Sequence, residues 1–363
     1  MTLSAPARTI ARAQMLTALL VLAAMTPIPG SLDLLTRNRS LAEWIDRKNE
    51  ESCRQTRNTL VHLGWLQTPE EAWIYEGIPQ TDFSKGGVYF FGSSLVQFST
   101  KLWELPPDLQ ALIHNCGMPA CNQKSELVWL RYLIEQTAIL KAGGDKTLVV
   151  LGTSYHNAFY PRESIPAPFA NALERHGLFA CDSHQGIRPL PVNAISKFMD
   201  FEETRQAACM TRFRDLFLHQ LTRWRHHGTE PPRRQDPALY ADWRRQQMGP
   251  DWKKEIDETI PVFRQTIDYL RARHVQVRVV LMPCGSWEKG LPYDSEYRRQ
   301  VTALCAEDQI PVSDWSGLLS NEDFADSTHP NIFGTEKTHA AFLDIALPFL
   351  RSTHALSADR RAY

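Results

Sequence analysis

From residue 87 onward, short continuous apolar runs alternate with amphipathic stretches. The runs fall at residues 87–91, 111–113, 147–151, 275–282 and 310–312, and they are rich in Val, Ile, Leu and Phe. A strand that is apolar on both sides has to be covered on both faces, which is the situation of a buried parallel sheet. Helical segments between the runs supply that cover. Leu127, Leu130, Ile134 and Ala138 recur at helical spacing, as do Ile256, Ile260, Phe263, Ile267 and Leu270. The pattern predicts an α/β fold in three layers, a parallel sheet flanked by helices.

The chain of 363 residues is long enough for one large domain or two ordinary ones. Residues 33–86 carry helical stretches and turn signals with few strand-like runs, and read as an amino-terminal helical extension. The α/β domain is expected over 87–355, interrupted by a helical insertion at about 190–255. That insertion carries Phe213, Leu216, Phe217, Leu221 and Trp224, then Gly228 and Pro231-Pro232, and it gathers Arg223, Arg225, Arg233, Arg234, Arg244 and Arg245. Two readings of the arginines stand: an anion-facing lid, or a solvated helical hairpin offset by Glu230, Asp236, Asp242 and Asp251, which is favoured.

Residues 1–32 have a different character. Arg8 and Arg12 are the only charges before Asp33, and they precede an apolar run at 15–25 that ends at Pro27 and Pro29. This is the layout of a secretory signal, cleaved or kept as an anchor, and it predicts an exported, periplasmic or otherwise extracytoplasmic protein. Lys plus Arg is 40 against 41 for Asp plus Glu, so no basic field exists to hold nucleic acid. The seven cysteines form no Cys-x-x-Cys pair. Cys116 and Cys121 are spaced to bridge a loop, or else act as small buried hydrophobes. His219, His226 and His227 lack a companion Cys or carboxylate at ligand spacing, so neither a metal nor an organic cofactor is predicted.

Two short motifs carry the chemistry. Gly92-Ser93-Ser94-Leu95 follows the first apolar run and opens a short helical stretch that Pro106-Pro107 closes. A serine at a strand-to-helix turn has its hydroxyl lifted above the sheet edge and its N–H at a helix start, where negative charge is favoured. Asp326-Ser-Thr-His329-Pro-Asn331 comes after the last run and before a helix reaching about Leu350. One turn there offers a general base and the carboxylate that orients it. Between the two motifs, Asn115-Cys116-Gly117-Met118-Pro119 and Gly152-Thr-Ser154-Tyr-His-Asn157 each follow a strand, at the edge where α/β sheets gather ligands.

With these blocks in this order, residues 87–350 resemble the SGNH (GDSL-like) hydrolase superfamily, the insertion excepted. Gly92 to Leu95 is similar to its first block, with Ser93 where the family has Asp; Asn115 to Pro119 is similar to its second, and Asp326-x-x-His329 to its fifth. The resemblance implies a flavodoxin-like three-layer fold and an acyl-enzyme on Ser94, with His329 as base and Asp326 as orienter. It also implies an oxyanion hole that includes the Gly117 N–H. The family's third block usually reads Gly-x-Asn-Asp, and here Ser154 stands at the donor position with Asn157 beyond it. Either can serve, with position favouring Ser154, or the hole has only backbone donors. In layout the chain is also similar to membrane-anchored SGNH-like proteins that work beside membrane-bound O-acyltransferases. That likeness implies an acyl ester of a cell-envelope polysaccharide as substrate and such an acyltransferase as partner. The alternative it leaves is a non-catalytic SGNH shell that binds glycan or the acyltransferase.

Overall fold

Strands β1 (Gly87–Gly92), β2 (Ile113–Asn115), β3 (Thr147–Thr153), β6 (Gln276–Leu281) and β7 (Val312–Asp314) form one sheet in the order β2-β1-β3-β6-β7, with every pair parallel. The computed structural model describes residues 39–57, 78, 81–159, 179–182, 186–191 and 235–354. A small antiparallel pair, β4 (Phe179–Asp182) and β5 (Gly186–Pro189), lies outside the main sheet.

Every residue of β1 and β3 is buried, as continuous apolar runs require. Side chains alternate along a strand, so β1 feeds two separate cores. Tyr89 and Phe91 point into a cluster with Trp129, Leu133, Phe263, Ile267, Tyr297 and Val301. Val88 and Phe90 point the other way, toward Phe342, Ala346 and Leu350. The first face is covered by α4 (Gln123–Gln136), α7 (Trp252–Arg271) and α8 (Pro292–Glu307), and the second by α9 (Ile332–Thr353). The stripe read from Ile256 to Leu270 is the buried face of α7. Helix α4 starts before its apolar stripe because Asn122 caps it, accepting the Ser125 N–H at 2.8 Å.

Several sequence expectations shift. Strand β2 starts at Ile113 and runs to Asn115, two residues later than the apolar run, and β7 likewise starts at Val312. The serine turn is the single turn α2 (Ser94–Gln97), and Pro106-Pro107 opens a further turn, α3 (Pro107–Gln110), rather than closing the first. Pro107 sits at the first helical position, where a missing N–H costs nothing. Cys116 and Cys121 are buried free thiols, so the loop bridge does not form.

Of residues 33–86, the described helix α1 (Arg39–Thr56) packs on the start of α9. Cys53 meets Ile332, and Arg54 pairs with Glu336 at 2.5 Å. Of the insertion, α6 (Pro237–Met248) is described, while the helical stretch with Phe213 to Trp224, Arg223 to Arg234, and His219, His226 and His227 lie outside the described residues. The signal-like residues 1–32 lie outside them too. Among the described residues no helix is long and apolar enough to cross a membrane.

Candidate active site

Two glycines set the height of the serine turn. Gly92 and Gly152 are register partners at the carboxyl ends of β1 and β3. A Cβ on Gly92 would strike Gly152 O and Val96 Cγ2, and one on Gly152 would strike Val96 and press on Met282 Sδ at 3.0 Å. Side chains are therefore excluded from the two strand ends, and Val96 of α2 sits in the space. Gly92 also has φ +154°, a conformation that L side chains rarely adopt. Ser94 is the first residue of α2, where N–H groups have no partner inside the helix.

Ser94 Oγ lies 2.8 Å from His329 Nε2, and His329 Nδ1 lies 2.9 Å from Asp326 Oδ2. The other carboxylate oxygen, Asp326 Oδ1, accepts the backbone N–H groups of Thr328 at 2.8 Å and His329 at 2.7 Å. Burial pushes the Asp326 pKa up, but the His329 ring and these two amides outweigh it and hold the group at about 2. An ionised carboxylate has no proton to give, so Nδ1 is the donor in that contact, and in the neutral ring this tautomer leaves Nε2 to accept the Ser94 hydroxyl. Phe98 sets its ring edge-on to the His329 ring at 5.3 Å.

The loop that carries Asp326 and His329 is tied from both sides. Ala325 N–H donates to His329 O at 2.9 Å, closing the loop on itself. Asn331 caps α9 through Phe333 and Gly334 and donates to Glu322 O at 2.6 Å. On the other side stands Arg244 of α6, a fully buried guanidinium. It donates to Ser327 O at 3.3 Å and to Thr328 Oγ1, the two residues between Asp326 and His329. Trp287 Nε1 donates to the same Ser327 carbonyl at 3.0 Å. Glu288, equally buried, faces Arg244 Nε at 3.3 Å and His156 Nε2 at 3.5 Å. Burial opposes the Glu288 charge, yet His156 and Arg244 together hold its pKa below the ordinary carboxylate range. Burial, then Arg244, lowers that of His156. Arg244 is thus neither a lid residue nor a solvated one. Its neighbour Arg245 is exposed and pairs with Asp242 at 2.5 Å.

The oxyanion candidates are engaged elsewhere. Gly117 N–H donates to Asn115 Oδ1 at 2.9 Å, while the Asn115 amide donates to Val96 O, Gln97 O and Thr100 Oγ1. Asn115 is therefore a clamp between β2 and the serine turn. Ser154 Oγ lies 3.1 Å from His156 Nδ1 and 3.4 Å from Asn157 Oδ1, and the Asn157 amide donates to Glu126 Oε2 at 3.1 Å. Glu126 is fully buried, which raises its pKa to about 8 against the Asn157 and Gln123 hydrogen bonds. The third-strand loop, which runs into the single turn α5 (His156–Phe159), thus belongs to a buried polar network of Glu126, Asn157, Ser154, His156, Glu288 and Arg244. Arg244, Glu288 and Trp287 carry no signal in the sequence that would have placed them beside His329.

Beside His329 a groove of about 490 Å³ opens between the Asp326–His329 loop and α6, lined there by Leu239, Tyr240, Asp242, Trp243 and Gln246.

No protein-family model matches the chain, and no curated protein matches it. Solved structures do match. One, a Bacteroides fragilis protein provisionally named an acylhydrolase, is 12% identical over 79% of this chain and 99% of its own, with a TM-score of 0.39.

Proposed function

We propose that the protein is a serine ester hydrolase or O-acyltransferase of SGNH type that works through an acyl-enzyme on Ser94. The observation that carries this is the chain of contacts from Ser94 Oγ to His329 Nε2 at 2.8 Å and from His329 Nδ1 to Asp326 at 2.9 Å. As Oγ attacks the ester carbonyl, its proton passes to Nε2, and Asp326 stabilises the imidazolium without taking the proton. The C–O bond to the leaving alkoxide then breaks, and His329 hands that proton to the alkoxide, releasing an alcohol. Water or a sugar hydroxyl attacks the acyl-enzyme, gives its proton to His329, and Ser94 Oγ recovers it as the acyl group departs. The oxyanion is received by the Ser94 N–H, and a second donor becomes available when Gly117 N–H leaves Asn115.

The exported address read from Arg8, Arg12 and residues 15–25 supports an ester of a cell-envelope glycan as substrate, with a membrane-bound O-acyltransferase as working partner. A second reading, a non-catalytic partner of the same fold, draws on the engagement of Gly117, Ser154 and Asn157. Reaction with a fluorophosphonate separates the two, since only an activated serine is labelled. Wild-type protein is expected to label, Ser94→Ala not at all, and His329→Ala at least about 10³-fold more slowly, with the double variant no worse than Ser94→Ala. Labelling that survives Ser94→Ala, or is absent from the wild type, overturns the catalytic reading.

A further inference from the structure

We infer that the groove between α6 and the Asp326–His329 loop binds an uncharged pyranose ring of the substrate, with the Trp243 indole as its platform. The inference rests on the ester-transfer reading, because the groove is lined by His329 and Asp326 and so holds whatever part of the substrate lies next to the reacting ester.

Three observations select the occupant. Leu239, Trp243 and Gln246 are spaced four and three residues apart, so they share one face of α6. Leu239 is 61% and Trp243 47% exposed, and they are two of the three large hydrophobic side chains that stand exposed among the described residues. The Arg244 guanidinium lies 4.8 Å from the centre of the Trp243 ring and is itself fully buried. One side of the indole is thereby held on a cation that is fixed by Glu288, Ser327 and Thr328, and the ring is a pre-positioned surface rather than a mobile flap. A pyranose presents polarised C–H bonds on one face, which suit the negative face of an indole.

The described polar lining disfavours the alternatives. Asp242 and Gln246 stand beside Trp243 and offer a carboxylate and an amide to sugar hydroxyls. A hydrocarbon chain in the same place would desolvate both without replacing their hydrogen bonds. Among the described residues the charged side chains lining the groove, His329 aside, are Asp242 and Asp326, and Arg245 is already paired with Asp242. A uronate or phosphate would meet these two carboxylates. The volume, about 490 Å³, lies within the ~300–1,000 Å³ of small-molecule sites and far exceeds what an acetyl group fills.

The test compares acetate release from an O-acetylated cello-oligosaccharide, which is neutral, with release from an O-acetylated oligogalacturonide and from p-nitrophenyl esters of increasing acyl length. Wild-type protein is expected to prefer the neutral sugar ester over p-nitrophenyl acetate, and Trp243→Ala to lower that ratio of kcat/KM at least tenfold through KM, with Trp243→Phe recovering most of it. Calorimetric titration of Ser94→Ala with the cello-oligosaccharide adds a readout that needs no turnover. Binding there that disappears in Ser94→Ala/Trp243→Ala supports the platform even if the hydrolytic reading fails. Preference for the oligogalacturonide, a Trp243 effect that grows with acyl length instead, or equal binding by the two titrated variants would each overturn it.

Discussion

Replacing Arg244 by Met tests whether α6 supports the proposed catalytic machinery. Arg244 and Glu288 are both fully buried, at 0% and 1% exposure, and face each other at 3.3 Å. Removing one member of such a pair leaves an uncompensated buried charge, at a cost of about 3–5 kcal/mol. At about 2–4 °C per kcal/mol for a domain of this scale, Tm should fall by about 6–20 °C. The same change removes the Arg244 bonds to Ser327 O, which keeps Trp287 Nε1 as a donor, and to Thr328 Oγ1, so the backbone between Asp326 and His329 loses its α6 support, and a displacement of about 1 Å can lower the rate about 10²-fold. Pairing Arg244→Met with Glu288→Met should restore most of the stability, because two apolar groups of similar volume replace the ions, but not the labelling rate. Arg244→Lys keeps the charge and loses the planar fork, so it should keep more of Tm than of the rate. Melting curves and fluorophosphonate labelling rates read both quantities. An Arg244→Met protein with wild-type Tm and rate would refute the argument, as would a double variant that regains the rate together with the stability.

Three further outcomes are expected. Asp326 is depressed to about 2 from an ordinary value near 3.9, so its contribution to stability is complete above about pH 4 and lost as pH falls through about 2. Asp326→Asn should flatten that acid limb in melting experiments, and, by presenting the wrong histidine tautomer, lower kcat by about 10³–10⁴-fold. Glu126 is raised to about 8 from about 4.3, so stability should decline as pH climbs between those values. Urea denaturation of Glu126→Gln at pH 5 and pH 8 should show that slope removed, and an unchanged slope would contradict the burial argument. Gly92→Ala adds about 1–3 kcal/mol of backbone strain and an overlap with Gly152 O and Val96, so little folded protein should be recovered.

The pieces of this site that are local in sequence were readable from it. Ser94 declares itself by following an apolar strand after Gly92, and Asp326 and His329 by standing three apart before a long helix; the structure places them in contact across 235 residues. Strands β2 and β7 were readable only in part. Both lie at sheet edges, where polar residues are tolerated, so His114, Asn115, Ser313 and Asp314 did not look like strand. Pro311 cannot donate to the ladder, and it contributes only its carbonyl, to Val279 N–H. Arg244 was misread for a different reason. Its partner Glu288 lies 44 residues away, and an arginine among arginines and prolines looks solvated until tertiary packing buries it. The roles of Gly117, Ser154 and Asn157 depend on where single hydrogen bonds go, which no spacing in the sequence specifies.

His329 and the serine turn share one support. Thr335 Oγ1 donates to Phe98 O at 2.8 Å and Thr338 Oγ1 to Ser99 O at 2.9 Å, so α9 grips the chain just past Ser94 by its side chains. The same helix begins at Ile332, three residues after His329, and the Phe98 ring rests against that imidazole. The serine turn and the histidine are therefore fastened to one helix, as two marks on one bar, so a small shift of α9 is shared between them. Gly117 on the β2 loop and the groove wall on α6 are linked to that bar through single side chains, Asn115 and Arg244, rather than by a shared helix. Under the proposed mechanism, breathing motions would alter how an ester is received and held more readily than how the proton is moved.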